Sequence, residues 1–133
     1  MSTAIPAATA PDNRLHFLTL AQAQAIIALN DAYAADLAAR LGPKLDADAA
    51  AADVTGGASA AGRALIAAME ALSTQARYEL VALVWCGMGD YTFTEARAYS
   101  QATADTGIAQ YLAKKAPELS DLLKKALATL KPT

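Results

Sequence analysis

Alanine supplies 36 of the 133 residues, and no other feature constrains the fold as strongly. Alanine gives up no side-chain freedom in a helix and is the best intrinsic helix former. In strands it is depleted. With few β-branched residues beside it, the chain is expected to be all-α. The same residue explains the 55% hydrophobic content. Of the 73 apolar residues, 36 are alanine, which leaves 37 larger ones for a core. The apolar run Leu80 to Cys86 is far shorter than the about 20 residues that a bilayer span requires. No membrane association is expected.

A chain of this length is expected to form one domain. Pro6, Pro11 and small residues at positions 1–14 read as a disordered N-terminal tail, without the basic and apolar regions of a signal peptide. A single helical domain would then occupy 15–133. The lone Cys86 has no partner for an internal disulfide, which fits a reducing, cytoplasmic setting. Net charge is −2, so no global attraction to nucleic acid is expected. The charge is nevertheless uneven. The acidic body contrasts with a C-terminal segment carrying Lys114, Lys115, Lys124, Lys125 and Lys131, which reads as a solvated helix face.

Helix signals follow in order. Thr19 and Gln22 fit a capping box. Leu20, Ala23, Ile26, Ile27, Asn30, Tyr33, Ala34, Leu37 and Leu41 then mark one face of a helix that Gly42 and Pro43 end, with only Asn30 out of character. The segment 43–58 is polar, small and acidic, and reads as a flexible loop. Its Asp46, Asp48 and Asp53 do not follow the ligand order of a calcium loop. A second helix is expected over about 59–72, with Leu65, Ile66, Met69 and Leu72 on its apolar edge. A third, over about 74–86, leaves almost no polar face after Glu79 and is therefore the buried central element. Thr92 and Glu95 form another capping box before a helix starting near Phe93. That helix turns Ala96, Tyr99, Ala102 and Thr103 inward and stops before Gly107. Ile108, Tyr111 and Leu112 mark a short helix to Lys115. Pro117 opens the last one, with Leu119, Leu122, Leu123, Ala126, Leu127 and Leu130 as its stripe. The expected architecture is a compact bundle of five or six helices around 74–86.

No catalytic constellation emerges. His16 is the only histidine, and no serine lies in a nucleophile elbow that would use it as a base. Cys86 at the end of a buried helix behaves as a small hydrophobe. The stretch "LVWCGMGDYTFTE", residues 83–95, invites a phosphate-loop reading. It lacks the third glycine of a dinucleotide fingerprint and the lysine of a P-loop, and Asp90 would repel a phosphate. A helix-turn-helix is the stronger rival, with Thr94, Glu95, Arg97, Ser100 and Gln101 as base readers. Its "GMGDYT" corner is longer than the usual turn. Its reading helix also has only one basic residue where phosphate contacts dominate affinity.

The segments "ELVALVWCGMGDY" (79–91) and "IAQYLAKKAPELSDLLKKAL" (108–127) resemble the bacterial proteins grouped as domain of unknown function 3775. In that pattern a leucine-rich helix ends in Trp-x-Gly-x-Gly, an acidic residue and an aromatic. A Tyr-Leu step, a proline and a Leu-x-x-x-Leu helix follow. The resemblance lies mainly over 72–130. This chain departs from it at Met88, where family members usually carry arginine. The resemblance implies a small helical bacterial protein and supplies no activity, cofactor or metal.

The functional expectation is a non-enzymatic, cytoplasmic protein-interaction module, with a DNA-binding or regulatory protein as the alternative. Its partner is a protein of unknown identity or a second copy of the chain. The candidate interaction corner comprises Gly87, Met88, Gly89, Asp90, Tyr91, Phe93 and Arg97, with Trp85 as a neighbouring aromatic.

Overall fold

The computed structural model describes residues 14–57, 59–103, 108–115 and 118–130. Among them are seven α-helices and no strand. They are α1 (Leu20–Leu41), α2 (Ala47–Gly56), α3 (Ala60–Glu70), α4 (Thr74–Gly87), α5 (Phe93–Thr103), α6 (Ile108–Ala113) and α7 (Leu119–Thr129). A 3-10 turn, Gly42–Lys44, follows α1. The expected N-terminal tail, the Gly107 stop and the Pro117 helix start lie outside the described residues, as do the side chains of Ala102 and Thr103.

Both predicted capping boxes form. The Thr19 N–H donates to Gln22 Oε1 at 2.9 Å, and the Gln22 N–H returns to Thr19 Oγ1 at 3.0 Å. At α5, the Thr92 N–H donates to Glu95 Oε1 at 3.0 Å and the Glu95 N–H to Thr92 Oγ1 at 3.2 Å. Ser59 and Ser73 cap α3 and α4 through Gly62 and Ala76. Each side-chain oxygen satisfies an amide that the first helical turn leaves unpaired.

The main departure from the sequence reading is α2. The segment read as an acidic loop, 43–58, holds a ten-residue helix. Asp46 is its N-cap, accepting from the Ala49 N–H at 2.7 Å, and Asp48 lies in its first turn. Both are positions where a carboxylate stabilises a helix. The alanine run supplies propensity, and Gly57 at φ 64° terminates it. The acidity that suggested a loop is a helix N-terminal signal. This helix accounts for the excess over the expected five or six.

Two apolar residues assigned to buried stripes face outward. Leu20 is 50% exposed and Tyr99 is 52% exposed. Each lies about a quarter turn from the centre of its helix's buried face. In α5 that face consists of Phe93, Ala96 and Ser100. Tyr111 on α6 is also exposed, whereas Ile108 and Leu112 are buried.

Helix α4 is the core element, with Ala76 and every residue from Glu79 to Val84 buried. Helices α5, α6 and α7 pack on it, and α1 packs on α3 and α7. At the α1–α3 crossing the Tyr33 ring lies against Gly62, where an added Cβ would sit 3.0 Å from it. At the α1–α7 crossing, buried Asn30 donates through Nδ2 to Ser120 Oγ at 2.9 Å. Ser120 in turn donates to the Ile27 carbonyl at 3.1 Å. Asn30, the odd residue of the first stripe, is thus an interhelical polar contact.

Glu79 is fully buried on α4. Its Oε1 accepts from the Phe17 and Leu18 N–H groups, both at 2.7 Å, and its Oε2 from that of His16 at 2.9 Å. Arg97 Nη1 of α5 lies 3.4 Å from Oε2. A single carboxylate thereby holds the segment before α1 to α4 and α5.

A second network docks α2. Arg40 of α1 forks onto Asp53, Nη1 to Oδ1 at 2.8 Å and Nη2 to Oδ2 at 3.0 Å. It also pairs with Asp36, one turn earlier, at 2.7 Å. Tyr33 Oη donates to Asp53 Oδ2 at 2.5 Å, and Ser59 Oγ donates to Asp36 at 2.8 Å. The Arg40 hydrogen bonds hold both carboxyls below their ordinary range. Burial, reinforced by the Asp53 hydrogen bond, pushes the Tyr33 phenol well above its usual value. Depressed carboxyl values mean stability that is present above about pH 4 and lost as pH falls through the folded-state values. A raised phenol means stability intact below about pH 10 and lost above it. Thermal melting should therefore show Asp53→Asn less stable than wild type at pH 7, with the gap narrowing as pH falls below about 4. A gap unchanged at about pH 3 would contradict this coupling.

Candidate functional site

The corner between α4 and α5 depends on two glycines that do different jobs. Gly87 is the last helical residue of α4, and the Leu122 backbone of α7 lies against it. A Cβ at Gly87 would lie 2.1 Å from the Leu122 carbonyl oxygen, a backbone atom that cannot swing aside. Gly89 adopts φ 90°, and its N–H donates to the Cys86 carbonyl at 3.0 Å. This positive φ stops the helix where a side chain would be strained. Met88 between them keeps right-handed helical geometry, with its side chain exposed.

Residues on both sides of the corner line an open pocket of about 280 Å³: Trp85, Met88, Asp90, Tyr91 and Tyr99. The Tyr91 ring centroid lies 6.4 Å from that of Trp85 and 5.0 Å from that of Tyr99, with ring planes tilted near 50° in both pairs. Trp85 Nε1 donates to Tyr111 Oη at 3.0 Å, joining α6 to the edge of the cluster. Lys115 Nζ lies 5.2 Å from the centroid of the Tyr111 ring. Six large hydrophobics are exposed among the described residues, and four of them, Met88, Tyr91, Tyr99 and Tyr111, gather here.

The structure divides the corner set predicted from sequence. Met88, Asp90 and Tyr91 line the pocket. Phe93 is 1% exposed and belongs to the core. Arg97 lies 5.5 Å over the Phe93 ring, contacts Glu79 and donates to the Arg14 carbonyl at 3.2 Å. The one basic residue of α5 is thus engaged within the fold. Gly87 and Gly89 shape the corner from behind. Tyr99 and Tyr111, read as inward-facing, are the residues the sequence reading missed. Their angular offset from the buried stripe was the available signal.

Elsewhere, His16, Cys86, Asp46 and Asp53 make contacts within the fold. His16 contributes a backbone N–H to Glu79, and Cys86 Sγ lies 3.8 Å from Thr129 Oγ1. Asp46 caps a helix while Asp53 binds Arg40 and Tyr33. Among the described residues no group of three or more histidine, cysteine or acidic residues is placed to hold a metal. Among them, too, no helix is long and apolar enough to cross a membrane.

The model of the family described as "Protein of unknown function (DUF3775)" matches residues 62–131, more than half of the chain. The chain belongs to the DUF3775 family. The matched DUF3775 segment runs from the body of α3 through α7 and contains the whole aromatic corner. No curated protein and no solved structure matches the chain.

The two glycines separate in a stability measurement. Gly87→Ala should cost about 3 kcal/mol or more, because backbone must move to admit the methyl group. Gly89→Ala should cost about 1–2 kcal/mol from backbone strain alone. Urea denaturation of both variants checks the order; equal losses would contradict a packing role specific to Gly87.

Proposed function

We propose that the protein is a bacterial, cytoplasmic, non-enzymatic interaction module that docks a partner protein on the α4–α5 corner. The observation that carries this reading is the gathering of Met88, Tyr91, Tyr99 and Tyr111 with Trp85 around an open pocket. Aromatic side chains and methionine are enriched in the cores of interfaces, and such anchors supply most of the binding energy. Exposed rings held by Gly89, Trp85 and one another are pre-ordered, which lowers the entropy lost on binding. A helix-turn-helix reading draws less support. Arg97 is committed to Glu79 and Phe93, and Glu95 caps the helix that would enter the groove.

Incorporating a photo-crosslinking amino acid at position 99 tests this reading, with position 20 as an exposed control. Cross-linking in cells should give a discrete product from position 99 and none from position 20, with loss of the product in Tyr91→Ala. Equal products from both positions, or none from either, would overturn the reading. A product at twice the mass of the chain would identify a second copy and contradict a distinct partner.

A further inference from the structure

We propose that the aromatic pocket receives an arginine side chain of the partner protein. This rests on reading the corner as the docking surface, and it assigns the chemistry of the group that enters.

The lining consists of three aromatic rings, one methionine and one carboxylate, with no basic residue. Ring faces carry negative electrostatic potential and attract cations, best of all at tryptophan. Asp90 adds a full negative charge at the same place. It is exposed and takes part in none of the ion pairs found among the described residues. The site therefore repels anions and favours a cation with a flat apolar face. One such contact lies at the edge of the cluster, where Lys115 Nζ is 5.2 Å from the Tyr111 centroid, and another on the inner face of α5, where Arg97 is 5.5 Å from that of Phe93.

Size and openness decide which cation. A volume of about 280 Å³ lies at or below the lower end of pockets for drug-sized molecules and suits one side chain. The pocket is a dish rather than an enclosed cage. A strongly hydrated ammonium needs enclosure to recover the cost of losing its water. A guanidinium is planar and weakly hydrated, stacks on an exposed ring and presents a fork of donors to a carboxylate. Met88 adds an adaptable apolar surface for the methylene stem.

The test uses the full chain, labelled with nitrogen-15, titrated with N-acetyl-Gly-Arg-Gly-amide and with the same peptide carrying citrulline or lysine. The arginine peptide should shift the Trp85 indole and the Met88, Gly89 and Tyr91 amides, with an affinity that falls as salt rises. The uncharged citrulline peptide should bind about tenfold more weakly, and Asp90→Asn should weaken the arginine peptide about threefold. Asp90 is exposed, so this variant leaves the fold intact. Met88→Arg, which places a guanidinium in the pocket from within the chain, should abolish the shifts. Equal binding of the citrulline peptide would overturn the arginine assignment while leaving the docking surface, which the position-99 cross-link tests separately. Equal binding of the lysine peptide would also overturn it, as would the absence of any shift with the arginine peptide.

Discussion

The buried carboxylate of Glu79 is the contact on which the rest of the structure depends. A charge taken from water costs several kcal/mol unless hydrogen bonds replace its hydration. Here three consecutive backbone N–H groups, those of His16, Phe17 and Leu18, supply them, and the Arg97 guanidinium balances the charge. Hydrogen bonds to an ionised acceptor are the short, strong kind. They satisfy amides that no helix or strand uses, because residues 16–18 form neither. The clamp thus sets how the chain enters α1 and how α5 lies on α4.

That arrangement has a consequence for the outer surface. Arg97 and Phe93 turn inward to complete the clamp, and the rotation of α5 carries Tyr99 outward. There it meets Tyr91, which follows the turn that Gly89 makes after the end of α4. The aromatic pocket and the buried ion pair are therefore opposite faces of one helix placement. The family match, over 62–131, includes both Glu79 and the corner.

What was legible in the sequence was local. Capping boxes at Thr19 and Thr92, the apolar stripe of α7 and the all-round apolarity of α4 are written within a few residues, and each formed as expected. What was not legible depends on distant neighbours. Nothing near Glu79 signals that amides some 60 residues away will close on it. Nothing near Asn30 announces Ser120. The Gly87 requirement comes from the Leu122 backbone of another helix. Helix α2 is a different case: its Asp46 cap and alanine run are local signals, outweighed by composition that suggested a loop. The turn between α4 and α5 falls at the two glycines, and the side chains around its pocket differ from the set read from the sequence. Angular position around α5, not proximity in sequence, decides which side chains reach the pocket.

Native-state amide hydrogen exchange tests the clamp most directly. Residues 16–18 lie outside every helix, and Glu79 accepts the N–H of all three. The account predicts that they exchange as slowly as the amides of Leu80 to Val84, to within about tenfold, opening only when the core opens. Exchange at the rate of an exposed loop, with the α4 core still protected, would contradict it.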